Sequence, residues 1–160
     1  MGVIVRYADP LGDEARTLIA ALDAELAGHY DDENNFPVSP EELADKTTDF
    51  FLAETFGGEK IGTIALRRVK DYAEIKRMFV LPEHRGKGIA HALLKAAHES
   101  AMQHGYEIVR LETGSYQSAA IALYESAGYQ RRSAFGDYPP ESEQNIYFEY
   151  ALPAEEATGS

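Results

Sequence analysis

The sequence predicts a single α/β domain with a mixed β-sheet, and three observations lead to this prediction. Of the 160 residues, 44% are apolar and 11% aromatic, which is typical of a globular protein of one-domain length. The apolar pattern changes from helical spacing to strand-like runs and back along the chain. A glycine-bearing segment, Arg85 to Gly88, lies where an apolar strand passes into the best-defined helix. We expect one domain over residues 1–152 and a loose tail over residues 153–160.

The N-terminal third is predicted to hold one strand and two helices. Val3 to Arg6 has strand character, and Leu11 to Leu26 repeats leucine every four residues, as an amphipathic helix does. Residues 28–40 are typical of an acidic loop. Ser39 and Pro40, followed by two glutamates, predict the cap and first turn of a short second helix.

Strands and helices alternate in the rest of the chain. Six further strands are predicted, over Phe50–Phe56, Lys60–Arg68, Tyr72–Val80, Ile108–Thr113, Tyr129–Phe135 and Ile146–Leu152. Gly57 and Gly58 indicate a hairpin turn between the first two of these. An apolar stripe from Ala90 to Ala101 predicts a long helix, and Ala119 to Ala127 a shorter one that ends at Gly128. The total is about seven strands and four helices.

Composition excludes several classes of protein. The absence of cysteine excludes a disulfide framework, a zinc ribbon and a thiol nucleophile. A formal net charge of -12 disfavours nucleic acid as a partner, and no apolar run is long enough to predict a membrane span. The five histidines form no recognisable metal-ligand set, and we expect His91 and His98 to be exposed or capping residues. We therefore expect a cytoplasmic protein without a metal.

The segment Arg85-Gly86-Lys87-Gly88-Ile89-Ala90 has the features of a phosphate-binding loop. The unpaired N–H groups and the dipole at a helix start attract an anion, and Gly86 and Gly88 allow the backbone to approach it closely. A Rossmann fingerprint would need glycine at position 91, where the chain has His91, and a Walker loop would need Gly-Lys-Ser/Thr. Neither pattern is present, and a plain turn before a helix is the simpler alternative.

Charge along the chain supports an anionic ligand. Between Arg67 and Lys95 there are eight basic and three acidic residues, a net charge of +5 within an acidic protein. Such a basic region favours a small polyanion, although ordinary solvated surface charge explains part of it.

The paired motifs of this sequence resemble those of the GNAT superfamily of acetyl-CoA-dependent N-acetyltransferases. Arg85, Gly88 and Ala90 satisfy the Arg/Gln-x-x-Gly-x-Gly/Ala pattern between a strand and a helix. A second family element follows the next strand, where Ala120, Leu123, Tyr124, Gly128 and Tyr129 keep the expected register and Gln117 replaces the usual asparagine.

The resemblance implies a GNAT-like fold with splayed central strands that bind acetyl-CoA. It places pantetheine on the backbone of Met78, Phe79 and Val80 and on Gln117. The pyrophosphate would lie on the amides of the loop, which are those of Arg85, Gly86, Lys87, Gly88, Ile89 and Ala90.

The resemblance also implies residues that handle protons. Tyr124 matches the general acid of the family, although its spacing from Ala120, Leu123 and Ala127 also fits a core stripe. Glu74 is the candidate base, Glu112 is its competitor, and an ion pair between Glu74 and Lys76 is the structural alternative. Without a thiol, direct transfer to a primary amine in a ternary complex is favoured over an acetyl-enzyme.

The acceptor is expected to be a cationic small molecule or peptide amine. The first 56 residues carry thirteen acids and three bases, and in this family the N-terminal helices border the acceptor site. Glu112 and Tyr138 are the expected substrate contacts. The loop from Phe135 to Pro140 either closes over the acceptor or is a rigid connection. The alternative functions are a non-catalytic acyl-CoA sensor and, more remotely, a nucleotide-dependent oxidoreductase. A homodimer is a further possible assembly of the protein.

Overall fold

The computed structural model describes residues 2–27, 38–140 and 142–153, and their core is a seven-stranded mixed sheet. The predicted acidic stretch of residues 28–37 and the tail from residue 154 lie outside the described residues. The strands are β1 (Val3–Tyr7), β2 (Thr48–Thr55), β3 (Lys60–Arg68), β4 (Ala73–Val80), β5 (Ile108–Gly114), β6 (Gln130–Arg132) and β7 (Asn145–Ala151). Their order in the sheet is β1-β2-β3-β4-β5-β7-β6. All neighbouring strands are antiparallel except β4 and β5, which are parallel.

Helices cover both faces of this sheet. They are α1 (Asp13–Leu26), α2 (Pro40–Leu43), α3 (Ile89–Gln103) and α4 (Ser118–Ser126), and a 3₁₀ turn (Pro82–His84) precedes α3. One apolar cluster places α3 and α4 against β-strand residues such as Ile64, Leu66 and Leu111. The other places α1 and α2 against Phe50, Leu52 and Phe79. The predicted α/β class, the strand number and the helix number are confirmed.

The short helix α2 begins as its sequence predicts. The Ser39 hydroxyl accepts a hydrogen bond from the Glu42 N–H at 3.1 Å, and the Glu42 carboxylate accepts one from the Ser39 N–H at 3.2 Å. This reciprocal capping box satisfies two N–H groups that a helix start leaves without partners.

Several predicted boundaries differ from the observed ones, and two of the differences have a clear physical reason. Strand β2 ends at Thr55, and Phe56 is 76% exposed in a four-residue turn, because the chain needs Phe56 to Glu59 to reverse direction. The strand predicted over Tyr129–Phe135 is limited to Gln130–Arg132. Phe135 is buried instead beneath the following loop, so its apolar side chain reflects loop packing rather than a strand.

Candidate active site

The parallel strands β4 and β5 separate shortly after they start. Their pairing in the described structure runs from Ala73 with Val109 to Ile75 with Leu111. Beyond that point β4 continues to Val80 and β5 to Gly114, each paired only with its outer neighbour among the described strands. The two inner edges therefore offer backbone N–H and C=O groups to a ligand, and the splayed strands that the resemblance implies are present.

A bulge in β4 causes this separation. Register with β3 shifts between Thr63 and Ala65, and Arg77 has a φ of +52°. The extra residue bends the strand away from β5. Met78 follows the bulge and packs against the cluster that contains Tyr124, whereas Phe79 packs against the cluster under α1.

The loop from Arg85 to Gly88 presents its backbone at the start of α3. Gly86 and Gly88 have φ values of +78° and +82°, and a Cβ at either position would meet no atom within 4 Å. The first hydrogen bond of the helix runs from the Ala92 N–H to the Gly88 carbonyl at 3.2 Å. Within the described residues, the N–H groups from Gly86 to His91 have no backbone acceptor. This open surface of N–H donors suits a phosphate group.

Arg85 itself is committed to the protein. Its Nε donates to the Val80 carbonyl at 2.8 Å, its Nη2 lies 2.7 Å from the Glu25 carboxylate, and its N–H donates to the Pro82 carbonyl. The side chain that is free to add positive charge to the loop is the exposed Lys87. Within the basic region between Arg67 and Lys95, Arg85 is thus partly compensated by the Glu25 carboxylate.

Tyr124 lies inside the apolar cluster on the α4 side of the opening. It is 5% exposed, and its hydroxyl is 3.9 Å from the Met78 sulfur on β4. Burial, with a smaller contribution from the negative charge of Glu112, raises the pKa of Tyr124 above its ordinary value. The phenol therefore keeps its proton at neutral pH.

Glu74 lies at the closed end of the opening and is held by two side chains. Its Oε2 accepts a hydrogen bond from the Tyr138 hydroxyl at 2.5 Å and is 3.6 Å from the Lys76 ammonium. The Lys76 ammonium also donates to the Tyr138 hydroxyl at 2.6 Å. The alternative ion pair with Lys76 is thus present, and it does not remove Glu74 from the candidate site.

Glu112 occupies the neighbouring strand, and its negative charge acts on four tyrosines. Its Oε2 accepts from the Asn145 side-chain amide at 2.8 Å. The pKa values of four tyrosines are raised, mainly by burial and at each of them also by the charge of Glu112. Burial and this charge raise the pKa values of Tyr116 and Tyr147 to about 12. They also raise the pKa values of Tyr124 and Tyr138. A carboxylate placed among aromatic rings favours a cation.

The remaining predicted residues fall around this centre. Gln117 is the N-cap residue of α4, and its carbonyl accepts a hydrogen bond from the Ile121 N–H at 2.9 Å. A hydrogen bond from its side chain to Tyr116 lowers the pKa of that tyrosine, against the larger effect of burial. Tyr138 lies in the loop between β6 and β7, whose Pro139 carbonyl accepts from the Tyr147 hydroxyl at 2.7 Å. This loop is packed on the sheet, as the rigid-connection alternative predicts, and it reaches Glu74 as well.

Sequence reasoning missed Tyr116, Asn145 and Tyr147. Asn145, Tyr147 and Glu149 alternate along β7, so their shared face could have been recognised from spacing. Their pairing with Gly114, Glu112 and Arg110 could not, because strand register depends on long-range contacts.

Two features typical of other classes of protein are absent from the described residues. Within residues 2–27, 38–140 and 142–153, no group of three or more His, Cys, Asp or Glu side chains is arranged to hold a metal ion. In the same ranges, no helix combines the length and the apolar composition that crossing a membrane requires.

Comparisons with known proteins agree with this geometry. The model of the acetyltransferase (GNAT) family matches residues 12–129. The IAA acetyltransferase of Azospirillum brasilense is 36% identical over 140 residues, which are 87% of this chain and 92% of that protein.

Solved structures show the same fold. A Klebsiella pneumoniae protein assigned as an acyl-CoA N-acyltransferase superposes with a TM-score of 0.79 and 32% identity, over 94% of this chain and 97% of the other. The PaiA N-acetyltransferase of Thermoplasma acidophilum, solved in complex with coenzyme A, superposes with a TM-score of 0.72 at 20% identity, over 94% and 99% of the two chains. The resemblance stated from the paired motifs is confirmed: the chain belongs to the GNAT acetyltransferase family and is an acyl-CoA-dependent N-acetyltransferase.

Proposed function

We propose that the protein moves the acetyl group of acetyl-CoA to a primary amine by direct attack in a ternary complex. The observation that carries this proposal is the opening between β4 and β5 beyond Ile75, which has a loop of free amides at one end. Tyr124 lies on one side of the opening and Glu74 and Glu112 lie on its two strands. The chain has no cysteine, so a covalent thioester on the enzyme is not available.

The cosubstrate would be held mainly by backbone. Met78, Phe79 and Val80 offer their free strand edge to the pantetheine arm, much as an added strand would. The amides from Gly86 to Ala90 bind the pyrophosphate, and Lys87 adds charge. Gln117 lies at the start of α4, where its side chain can contact the arm.

The proposed mechanism gives each proton a destination. Acetyl-CoA supplies the reactive thioester. Glu74 takes a proton from the acceptor ammonium, so that the amine nitrogen can form a bond to the acetyl carbon as the carbon–sulfur bond breaks. Tyr124 donates its proton to the departing sulfur. The nitrogen loses its second proton as the amide forms, and this proton passes through solvent to the Tyr124 phenolate and restores it. Backbone N–H groups on β4 stabilise the charge that develops on the carbonyl oxygen.

Glu112 and Tyr138 are proposed to select a cationic acceptor. Most acids of the N-terminal region do not support this choice, since they form caps and ion pairs elsewhere in the structure. Glu112 supports it, because Asn145 orients its carboxylate and the surrounding tyrosine rings offer further attraction to a cation.

The first experiment tests Tyr124. We expect Tyr124→Phe to lower kcat about 100-fold, at the low end of the range for loss of a general acid, with acetyl-CoA binding retained. The measurement is amine-dependent release of free CoA, screened over polyamines, aminoglycosides, amino acids and lysine peptides. Tyr129→Phe is the matched control, since the Tyr129 hydroxyl contacts His98 outside the opening. Equal rates for wild type and Tyr124→Phe would contradict the assignment, and saturable binding without turnover in any protein would favour the sensor.

A second experiment separates the two carboxylates. We expect Glu74→Gln to lower kcat/KM about 100-fold and to remove the acidic limb of its pH profile, because an amide cannot accept the proton. We expect Glu112→Gln to raise KM for the amine with a smaller change in kcat, since it removes charge from acceptor binding. The reverse pattern would make Glu112 the base and Glu74 a binding residue.

A further inference from the structure

The side chains of Lys76, Tyr138 and Glu74 form a connected chain of hydrogen bonds. Lys76 on β4 donates to the Tyr138 hydroxyl at 2.6 Å, and Tyr138 donates to Glu74 Oε2 at 2.5 Å. The Lys76 ammonium is also 3.6 Å from that same oxygen and 5.1 Å from the centre of the Tyr138 ring. The side chains of Lys76 and Glu74 are 12% and 8% exposed, so solvent screens these contacts little.

The direction of donation within this chain follows from chemistry. An ammonium group can only donate, and a phenol has a single proton. Tyr138 must therefore accept from Lys76 and give its own proton to Glu74, which requires an oxygen that carries no proton. Burial and the charge of Glu74 both raise the pKa of Tyr138, so the phenol is protonated throughout the working pH range.

Other charged and titratable groups lie around Glu74, and the two neighbours in the sheet also act on other carboxylates. Arg110, which pairs with Glu74 across β4 and β5, donates to Glu149 at 2.8 Å and stacks on Tyr72 at 4.5 Å. Arg67, the β3 neighbour of Glu74, acts on Glu42 of α2. Among the described residues, the groups around Glu74 include Arg67 on β3, Lys76 on β4, Arg110 and Glu112 on β5, Arg132 on β6, Glu42 on α2, Tyr72 in the β3–β4 turn, and Asp137 and Tyr138 in the β6–β7 loop.

We propose that Lys76 and Tyr138 are positioning residues for Glu74: together they hold its Oε2 in place, so that Oε1 accepts the proton of the amine. This inference rests on the proposed role of Glu74 as base. A fixed partner for one oxygen restricts rotation of the carboxylate, so the other oxygen keeps one direction.

The proposal gives the β6–β7 loop a role in catalysis. Tyr138 comes from that loop, and the hydrogen bond from Tyr147 to the Pro139 carbonyl anchors the loop to β7. Glu74 and Tyr138 are 64 residues apart in the sequence. The contacts of the proposed base are therefore completed by a distant segment of the chain.

The test measures the pKa of Glu74 directly and does not depend on turnover. The ¹³C resonance of its carboxylate, assigned by its loss in Glu74→Gln, is titrated in the full-length protein and in each variant. We expect the titration of this resonance to move to higher pH in Tyr138→Phe and in Lys76→Met, because each variant removes a contact that favours the ionised form. We expect Lys76→Arg to keep most of the wild-type value, because it keeps the charge.

Tyr147→Phe is the matched control for Tyr138→Phe. It removes one hydroxyl that anchors the same loop without removing a contact to Glu74, so a loosened loop alone is reproduced. We expect the titration of Glu74 in this variant to match that of the wild-type protein.

Kinetics then separate this proposal from the proposed function. We expect the acidic limb of kcat/KM to move upward together with the pKa in Tyr138→Phe and Lys76→Met. An unchanged pKa of Glu74 in both variants would overturn the positioning role. A different result would overturn Glu74 as the base: the titration of Glu74 moves in the two variants, the acidic limb of kcat/KM does not move, and Glu74→Gln is active. The contacts of Lys76 and Tyr138 with Glu74 would then have no role in catalysis.

Discussion

Arg77 is the residue at which β4 turns away from β5, and its own contacts hold it there. A φ of +52° in a residue with a Cβ costs about 1 kcal/mol. Its Nε donates to the Val38 carbonyl at 2.9 Å and its Nη1 lies 2.6 Å from the Asp23 carboxylate. Its carbonyl accepts from the Thr63 hydroxyl at 2.7 Å. The opening between the strands thus depends on a strained backbone that surrounding contacts stabilise.

His98 is a half-buried titratable residue that the proposed mechanism does not use. The sequence predicted an exposed or capping residue, but the helix turns this side chain toward β7. Its Nε2 lies 2.6 Å from the Tyr129 hydroxyl, and its ring stacks on Tyr150 with centroids 4.8 Å apart. Burial lowers the pKa of His98 to about 4.

This shift predicts how stability depends on pH. The unfolded chain binds a proton at this histidine below about pH 6.5, whereas the folded protein does so only below about pH 4. Stability from His98 is therefore full at pH 7 and is lost as pH falls from 6.5 to 4. We expect a loss of about 2 kcal/mol by pH 4.5 that His98→Gln does not show, measured by urea unfolding at several pH values. His91→Gln, on the exposed face of the same helix, should keep the wild-type slope, and identical slopes in all three proteins would contradict the prediction.

At the scale of an element, the loop and helix α3 form the most clearly organised part of the site. Gly88 is the N-cap of α3 and has a φ of +82° with open space where a Cβ would stand. The conformation both starts the helix and exposes the amides to a ligand. A Cβ at this position would meet no protein atom within 4 Å. A substitution of Gly88 is therefore expected to act through backbone strain and through contact with the ligand.

We expect Gly88→Ala to lower the free energy of unfolding by about 1 kcal/mol and to weaken CoA binding. Gly58→Ala is the matched control, because Gly58 has a φ of +93° with no neighbour within 4 Å, in the β2–β3 turn. It should produce a similar loss of stability with unchanged CoA affinity. Urea unfolding and calorimetric titration with CoA measure the two effects. Equal CoA affinity in the two variants would show that the Gly88 amide surface does not bind CoA.

At the scale of the whole molecule, many acidic and basic side chains form ion pairs with one another. Many described acids of the first 56 residues have structural partners: Asp23 with Arg77, Glu25 with Arg85, Glu41 with Arg16, Asp49 with Arg68, and Glu54 with Lys60. Three of these partners belong to the basic region between Arg67 and Lys95. Opposite charges that are separate in sequence are therefore adjacent in space, and the net charge of a segment overstates what a ligand would meet.

The sequence by itself determined the class of fold, the elements and the place of the chemistry. Apolar spacing and capping residues identified most helices and strands, since these signals are local. The paired motifs around Gly88 and Tyr124 identified the family and the loop whose amides are proposed to bind a phosphate.

Only the tertiary structure decided how these elements act together. The separation of β4 from β5 arises from the bulge at Arg77, which no local pattern predicts, because Arg77 reaches Asp23 and Val38 across the sheet. The contacts of Glu74 join positions 74, 76 and 138, and those of Glu112 depend on the register of β5 with β7. The physical reason is common to all of these: contacts between distant parts of the chain follow from the packing of a whole sheet, whereas residue patterns along a sequence record only the preferences of each segment.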